Sequence, residues 1–328
     1  MTTAEDVRKL PIDADGKYIR PPSTFRNKIE KGGKFEPEKG RYHLYVAYVC
    51  PWANRTLIAR NLKGLQDIIC ASRLLVGFCL IAQALQAVTI CTSRMDTKGW
   101  RFDDTDPAFP GAQLEPFYGF GHIRDLYLKV EPNFDGRSTV PVLWDKKLET
   151  IVSNESSEIL RILNTAFNDI IPENLYPEAL REEIDALNEW VYSDINNGVY
   201  KSGFSRTQGA YEEAVKGVFA GLDRVEKILA DGSKDYLIGN TLTEADIRLF
   251  VTAIRFDVAY NGQFKCNIRT IRSGYPNINR WMKDLYWKNK SFSETVDFQH
   301  IKAGYYNRPE ASRMLFYEVL LLTVSATV

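Results

Sequence analysis

The most constraining feature of this chain is a change of sequence period at Cys50. The run Arg41 to Val49 (RYHLYVAYV) is rich in aromatic and β-branched residues and reads as a strand. From Trp52 to Leu62 the pattern turns helical and closes on Lys63-Gly64. Pro51 stands at the first helical position, where its missing N–H would have had no partner in any case. Strand, cysteine, proline and helix in that order put one thiol at a helix N-terminus. Free backbone N–H groups and the positive end of the helix dipole favour a thiolate there. The thiolate, not the thiol, is the nucleophile.

The residues after this helix extend the start into an α/β domain. Ala87–Cys91, Thr139–Trp144 and Glu149–Ser153 read as further strands, with a tight two-residue turn expected within Asp145-Lys146-Lys147. Gly121–Val130 and Glu155–Asn164 read as helices. After Tyr176-Pro177 alanine, leucine and charged residues repeat at three and four, so residues 178 to about 300 read as a bundle of five or six helices. Thr243 followed by Asp246 is a variant of the capping box and marks one helix start. The expected organisation is an irregular N-terminal extension over 1–40, an α/β domain over 41–165, an all-helical domain over 176–306 and a tail over 307–328.

Five cysteines, irregularly spaced in 328 residues, do not make a disulfide framework. The N-terminus has no apolar signal core, so a reduced, cytoplasmic setting is expected. His43, His122 and His300 are too scattered for a metal cluster, and no metal is expected. With 42 acidic and 42 basic residues, nothing in the charge points to nucleic acid or a membrane surface. The apolar stretches 70–86 and 316–324 are too short for confident spanning helices.

The fourth motif position is Ala53, not cysteine, so no resolving thiol lies one turn away. A mixed disulfide at Cys50 needs an external thiol to open it, and glutathione is the abundant cellular candidate. Val140-Pro141 opens a strand with a residue that cannot donate to the ladder. If that bond is cis, the Val140 backbone offers a short edge to a peptide-like ligand; otherwise Pro141 is an ordinary strand-edge proline. Ser153 to Ser157 (SNESS) lies between a strand and a helix, so its N–H groups can hold a carboxylate. There Glu155 can take a ligand ammonium and Ser156 a carboxylate, or the two can simply cap the helix.

The runs RYHLYV…CPWANRTLIARNLKGL, KGWRFDD, TVPVLWDKK and TIVSNESSEILRILNTAF resemble the glutathionyl-hydroquinone reductases, the Xi class of glutathione transferases. So do INNGVYKSGF, LTEADIRLF, FKCNI and DFQHIKAGYY. The resemblance covers about Thr24 to Tyr306, apart from one insertion. It implies a thioredoxin-like domain followed by a helical domain, the glutathione transferase fold, usually as a homodimer. It implies that Cys50 attacks the sulfur of a glutathionylated aromatic quinol, the hydroquinone leaves, and a second glutathione, the co-substrate, resolves the mixed disulfide. Carried over by motif, Trp100 covers glutathione, Arg137 meets one of its carboxylates, and Val140, Pro141, Glu155 and Ser156 complete that site. Tyr200, Tyr305 and, less centrally, Tyr192 would line the hydroquinone site. An Omega-like thioltransferase or dehydroascorbate reductase, and a non-catalytic carrier of glutathione conjugates, are the competing readings.

Three departures accompany the resemblance. The family commonly has histidine where this chain has Asn54, and little is expected to turn on it. Residues 70–86 are inserted between the first helix and the second strand. The family continues after GYY with a polar, proline-containing segment, where residues 307–328 of this chain become apolar. The two segments together suggest a splicing difference.

Overall fold

A computed structural model describes residues 10–69, 88–96, 98–168 and 174–306. The insertion 70–86 and the tail 307–328, with the readings attached to them, lie outside the described residues. The first strand, β1 (Tyr42–Val46), is buried at all five positions, as its unbroken aromatic and aliphatic content requires. It lies inside a sheet of order β2-β1-β5-β6, with β2 at Val88–Ile90, β5 at Val142–Asp145 and β6 at Thr150–Ser153. β2 runs parallel to β1, whereas β5 and β6 are antiparallel to their neighbours. A parallel pair needs a crossover, and α1 (Pro51–Leu62) lies in it. Between β2 and β5 come β3 (Thr92–Asp96) and β4 (Gly99–Arg101), which pair with each other, and α2 (Ile123–Val130). Helix α3 (Ser156–Thr165) follows β6.

The turn between β5 and β6 is wider than its sequence suggests. Residues 146–149 all belong to it, and Glu149 takes φ +48°. The reason lies in Asp145, whose carboxylate accepts from the backbone N–H groups of Lys147 and Leu148 at 2.8 and 3.3 Å. The same carboxylate pairs with buried Arg41, 2.9 Å from its Nε, tying the start of β1 to the end of β5. The β3–β4 hairpin has no apolar alternation, so the sequence carries no strand signal for it.

The helical half contains α4 (Arg181–Trp190), α5 (Gly198–Phe204), α6 (Gln208–Leu229), α7 (Glu244–Arg255), α8 (Asn261–Gln263), α9 (Ile271–Gly274), α10 (Pro276–Lys288), α11 (Lys290–Ser293) and α12 (Phe298–Tyr306). The described helical segments are thus more numerous and more broken than the five or six expected. Two π-helical turns, Val191–Asn196 and Phe256–Tyr260, interrupt the path after α4 and α7. An inserted residue per turn is invisible to a 3.6-residue pattern. Thr243 and Asp246 form the anticipated capping box at the start of α7.

Helix α1 packs against α3 and also against α7 and α11, so it is shared between the two halves. One hydrophobic core runs through both. The described part of the N-terminal arm, residues 10–40, holds only isolated bridges, at Ile12–Tyr18 and Arg26–Ser153. It crosses from one half to the other. At one end the Gly16 carbonyl accepts from Arg206 N–H at 2.9 Å, and Tyr18 packs edge-on against Phe204. At the other, Asn27 N–H donates to the Val152 carbonyl at 2.9 Å.

Candidate active site

Cys50 is the N-cap of α1, with φ −80° and ψ 116°, and is 7% exposed. Its thiol lies 3.5 Å from the Val140 carbonyl oxygen, which it faces as donor. The Val140–Pro141 peptide is cis. Pro141 leads directly into β5, between β1 and β6, rather than lying on a sheet edge. Cys91 and Cys266, in contrast, are fully buried, and burial pushes Cys266 up to about 12 and Cys91 well above its ordinary value. They fit inert core thiols.

At Cys50 burial opposes what the helix N-terminus favours. Burial is the largest influence and raises the thiol above its ordinary value. The backbone N–H groups of Ala53 and Trp52 and the guanidinium groups of Arg20 and Arg255 act the other way without overcoming it. The helix N-terminus therefore assists a thiolate, while burial opposes it and leaves the thiol above its ordinary value.

Glu155 is the N-cap of α3. Its carboxylate accepts from Ser157 N–H at 3.0 Å, from Ser157 Oγ at 2.9 Å and from Ser23 Oγ of the arm at 2.9 Å. Burial pushes this carboxyl up, but the Ser157 and Ser23 hydrogen bonds and the charge of Arg55 outweigh it and leave it below the usual range. It is an anion at the mouth of a strand–helix junction, and it caps the helix as well. Ser156, buried, is the first residue of α3. Trp100 is half-buried on β4, and Arg137 is half-buried in the loop before the cis peptide. Neither hydrogen-bonds to Cys50, Val140 or Glu155.

Three tyrosines meet from three elements. Tyr200 Oη of α5 lies 3.1 Å from Tyr305 Oη of α12, which lies 3.2 Å from Tyr260 Oη of the second π-turn. Burial raises all three hydroxyls, Tyr200 and Tyr260 far above the ordinary value, so they are protonated donors. Tyr200 and Tyr305 both feel the charge of Cys50. Tyr192 sits on the first π-turn, 42% exposed, with its ring 6.0 Å from that of Trp52. The Tyr200 ring lies at the same 6.0 Å from Trp52.

Several residues of this region stand out only in the folded chain. Trp52 lies under two guanidinium groups, Arg20 at 4.2 Å and Arg55 at 4.5 Å from its ring centroid. Tyr260 carries no signal in the sequence, because its place depends on the π-turn. Asn54 proves central. It is fully buried, donates to the Thr295 carbonyl at 3.0 Å and accepts from Arg255 at 3.0 Å. Packing makes it the junction of α1, α7 and the segment before α12.

A thioredoxin-like sheet with a cysteine at the first helix N-terminus and a cis-proline facing it, joined to an all-helical half, defines the glutathione transferase fold. Residues 49–166 match the family Glutathione S-transferase, N-terminal domain, and residues 208–284 the family Glutathione S-transferase, C-terminal domain. The chain belongs to the glutathione transferase family, in its Xi class. It is 54% identical to the glutathione S-transferase Xi of Phanerochaete chrysosporium, covering 92% of this chain and 91% of that one, with a TM-score of 0.83. The glutathione-bound structure of YqjG from Escherichia coli matches at 43% identity, 90% and 91% coverage and a TM-score of 0.77. In sequence, "Glutathione S-transferase omega-like 2" of Schizosaccharomyces pombe is 47% identical over 298 residues, 89% of this chain and 88% of the relative. "Glutathionyl-hydroquinone reductase YqjG" of Escherichia coli is 46% identical over 301 residues, 89% and 84%.

Proposed function

We propose that this chain is a glutathione-dependent reductase that cleaves glutathionyl-hydroquinones to hydroquinones through Cys50. The observation that carries the reading is a single thiol at a helix N-terminus, facing the Val140 carbonyl, together with the Tyr200–Tyr305 hydroxyl pair that is coupled to it electrostatically. A relative of nearly half-identical sequence bears that activity in its name, and a structural neighbour was solved with glutathione bound.

The chemistry balances without a metal or a redox cofactor. The Cys50 thiolate attacks the sulfur of the conjugate, the bond from sulfur to the aromatic carbon breaks, and that carbon takes a proton. A buried tyrosine hydroxyl is suited to supply it. Cys50 is left as a mixed disulfide with glutathione. The thiolate of a second glutathione attacks it, releasing glutathione disulfide and Cys50. Glu155 and Ser156 would hold the γ-glutamyl end, the Val140 backbone the middle of the peptide, and Trp100 and Arg137 the remainder. Tyr192 would flank the quinol. The reading includes a cytoplasmic homodimer, supported by the resemblance to the Xi class.

The decisive experiment supplies purified protein with a glutathionyl-hydroquinone and excess glutathione. Free hydroquinone and glutathione disulfide should form in equal amounts, and Cys50→Ser should form neither. Full turnover by that variant would end the proposal. An Omega-like thioltransferase is the second reading, favoured by the name of the Schizosaccharomyces pombe relative. It predicts faster turnover of a small mixed disulfide than of any aromatic conjugate.

A further inference from the structure

Arg255 is the last residue of α7 and is completely buried. Its guanidinium donates to the Tyr48 carbonyl at 2.7 Å, the Val49 carbonyl at 3.2 Å, the Val251 carbonyl at 2.9 Å and Asn54 Oδ1 at 3.0 Å. Every one of these acceptors is neutral, and among the described residues no carboxylate pairs with it. Burying a cation without a counter-charge is costly, and hydrogen bonds to neutral acceptors offset that cost only in part. Its position shows where the charge acts. Two of its acceptors are the carbonyls immediately before Cys50, and a third lies one helical turn after it.

We propose that Arg255 is a positioning residue whose buried positive charge is the counter-charge of the Cys50 thiolate, so that the helical half of the molecule completes the nucleophile of the thioredoxin-like half. The inference rests on Cys50 being the nucleophile of the proposed reaction, but not on the identity of the substrate. The step it assists is simple: the Cys50 S–H loses its proton to water, no other bond changes, and the Arg255 charge acts on the negative sulfur left behind. The carbonyl clamp also fixes the Tyr48–Val49 peptide units, and with them the direction of the Cys50 side chain. The other ionisable groups that act on Cys50 are Arg20 of the arm, Tyr200 of α5 and Tyr305 of α12. Of the two cations, Arg20 is half-exposed and reaches across from the arm, whereas Arg255 is fixed by four hydrogen bonds.

The test measures alkylation of Cys50 by iodoacetamide across pH, with no glutathione present and the modified peptide identified by mass. Three variants are compared, each checked for folding by circular dichroism. Arg255→Gln removes the charge. Arg255→Lys keeps the charge but not the fork of hydrogen bonds. Asn54→Asp keeps Arg255 in place and sets an anion against it. The expected result is alkylation about tenfold slower at pH 8 in Arg255→Gln and Asn54→Asp, a profile displaced by roughly one unit, with Arg255→Lys restoring most of the rate. Coincident profiles for wild type and folded Arg255→Gln overturn the proposal. If Arg255→Gln does not fold, a coincident profile in Asn54→Asp overturns it. A Lys variant displaced as far as the Gln variant also overturns it, because the clamp alone would then explain the effect. Failure to cleave a glutathionyl-hydroquinone, with the alkylation shifts present, would overturn the substrate reading and leave this inference standing.

Discussion

The hydroxyl of Tyr200 stands 3.1 Å from the hydroxyl of Tyr305, a residue 105 positions further along the chain. With Tyr260, 3.2 Å beyond Tyr305, they make a short row of phenolic O–H groups beside the thiol. Each hydroxyl is buried and has another tyrosine hydroxyl as its partner. Such a row can hand a proton inward without exposing the pocket.

That arrangement ranks the tyrosine variants. Tyr305→Phe breaks the row in the middle and should slow hydroquinone release by roughly 100-fold. Tyr260→Phe removes only the terminal hydroxyl and should cost about 1 kcal/mol, roughly fivefold in rate. Turnover of a glutathionyl-hydroquinone, set beside turnover of a small glutathione mixed disulfide, is the measurement. Equal losses on both substrates would remove the tyrosines from the quinol chemistry.

Cys50 in the free protein should titrate as a buried thiol. Burial raises it above its ordinary value of 9.0, so the thiolate fraction, and with it the alkylation rate, should still be climbing at pH 9. A profile that levels off below about pH 7 would instead show a fully activated resting thiolate.

Asp246 links pH to stability. Its carboxylate accepts from the N–H groups of Leu237 and Thr243 and from Trp281 Nε1 at 3.0, 3.1 and 3.0 Å. Burial nevertheless pushes it up to about 6, from 3.8 in the unfolded chain. The folded value lies above the unfolded one, so this group's contribution is complete below 3.8 and is lost as pH rises through about 6. Asp246→Asn should flatten the dependence of Tm on pH across that window. At neutral pH it should also cost about 1–3 kcal/mol, since the amide nitrogen cannot accept from the Thr243 N–H. Calorimetry at several pH values reads both effects.

The arm can be loosened at one residue. Gly16 has φ +82°, and a Cβ there would fall 2.7 Å from Thr207 Cγ2. Gly16→Ala should weaken the docking of residues 13–19 on the start of α6 by about 1–2 kcal/mol, the strain of a left-handed non-glycine residue. Faster proteolytic nicking of the arm, with the Tm of the body little changed, is the expected outcome. Unchanged nicking would show that the arm is held elsewhere, for instance at Glu155.

Local chemistry makes much of this protein legible. The switch of period at Cys50, the proline after it and the absence of a cysteine at 53 define one thiol at a helix start that depends on an outside thiol. Val140-Pro141, the SNESS junction and the capping box at Thr243 are readable for the same reason: each is a short-range pattern whose backbone requirement is met by its own residues. The features hidden from the sequence depend on residues far apart in it. The π-turns that carry Tyr192 and Tyr260 leave no trace in a 3.6-residue period. The weight of Asn54 arises only when α7 and the segment before α12 close on α1. Whether Cys50 rests as a thiol or a thiolate is a contest between local N–H groups and global burial, and burial is a property of the folded whole. The row of tyrosines and the buried charge of Arg255 exist because the helical half packs onto the first helix of the sheet half, and only tertiary structure brings them to the sulfur.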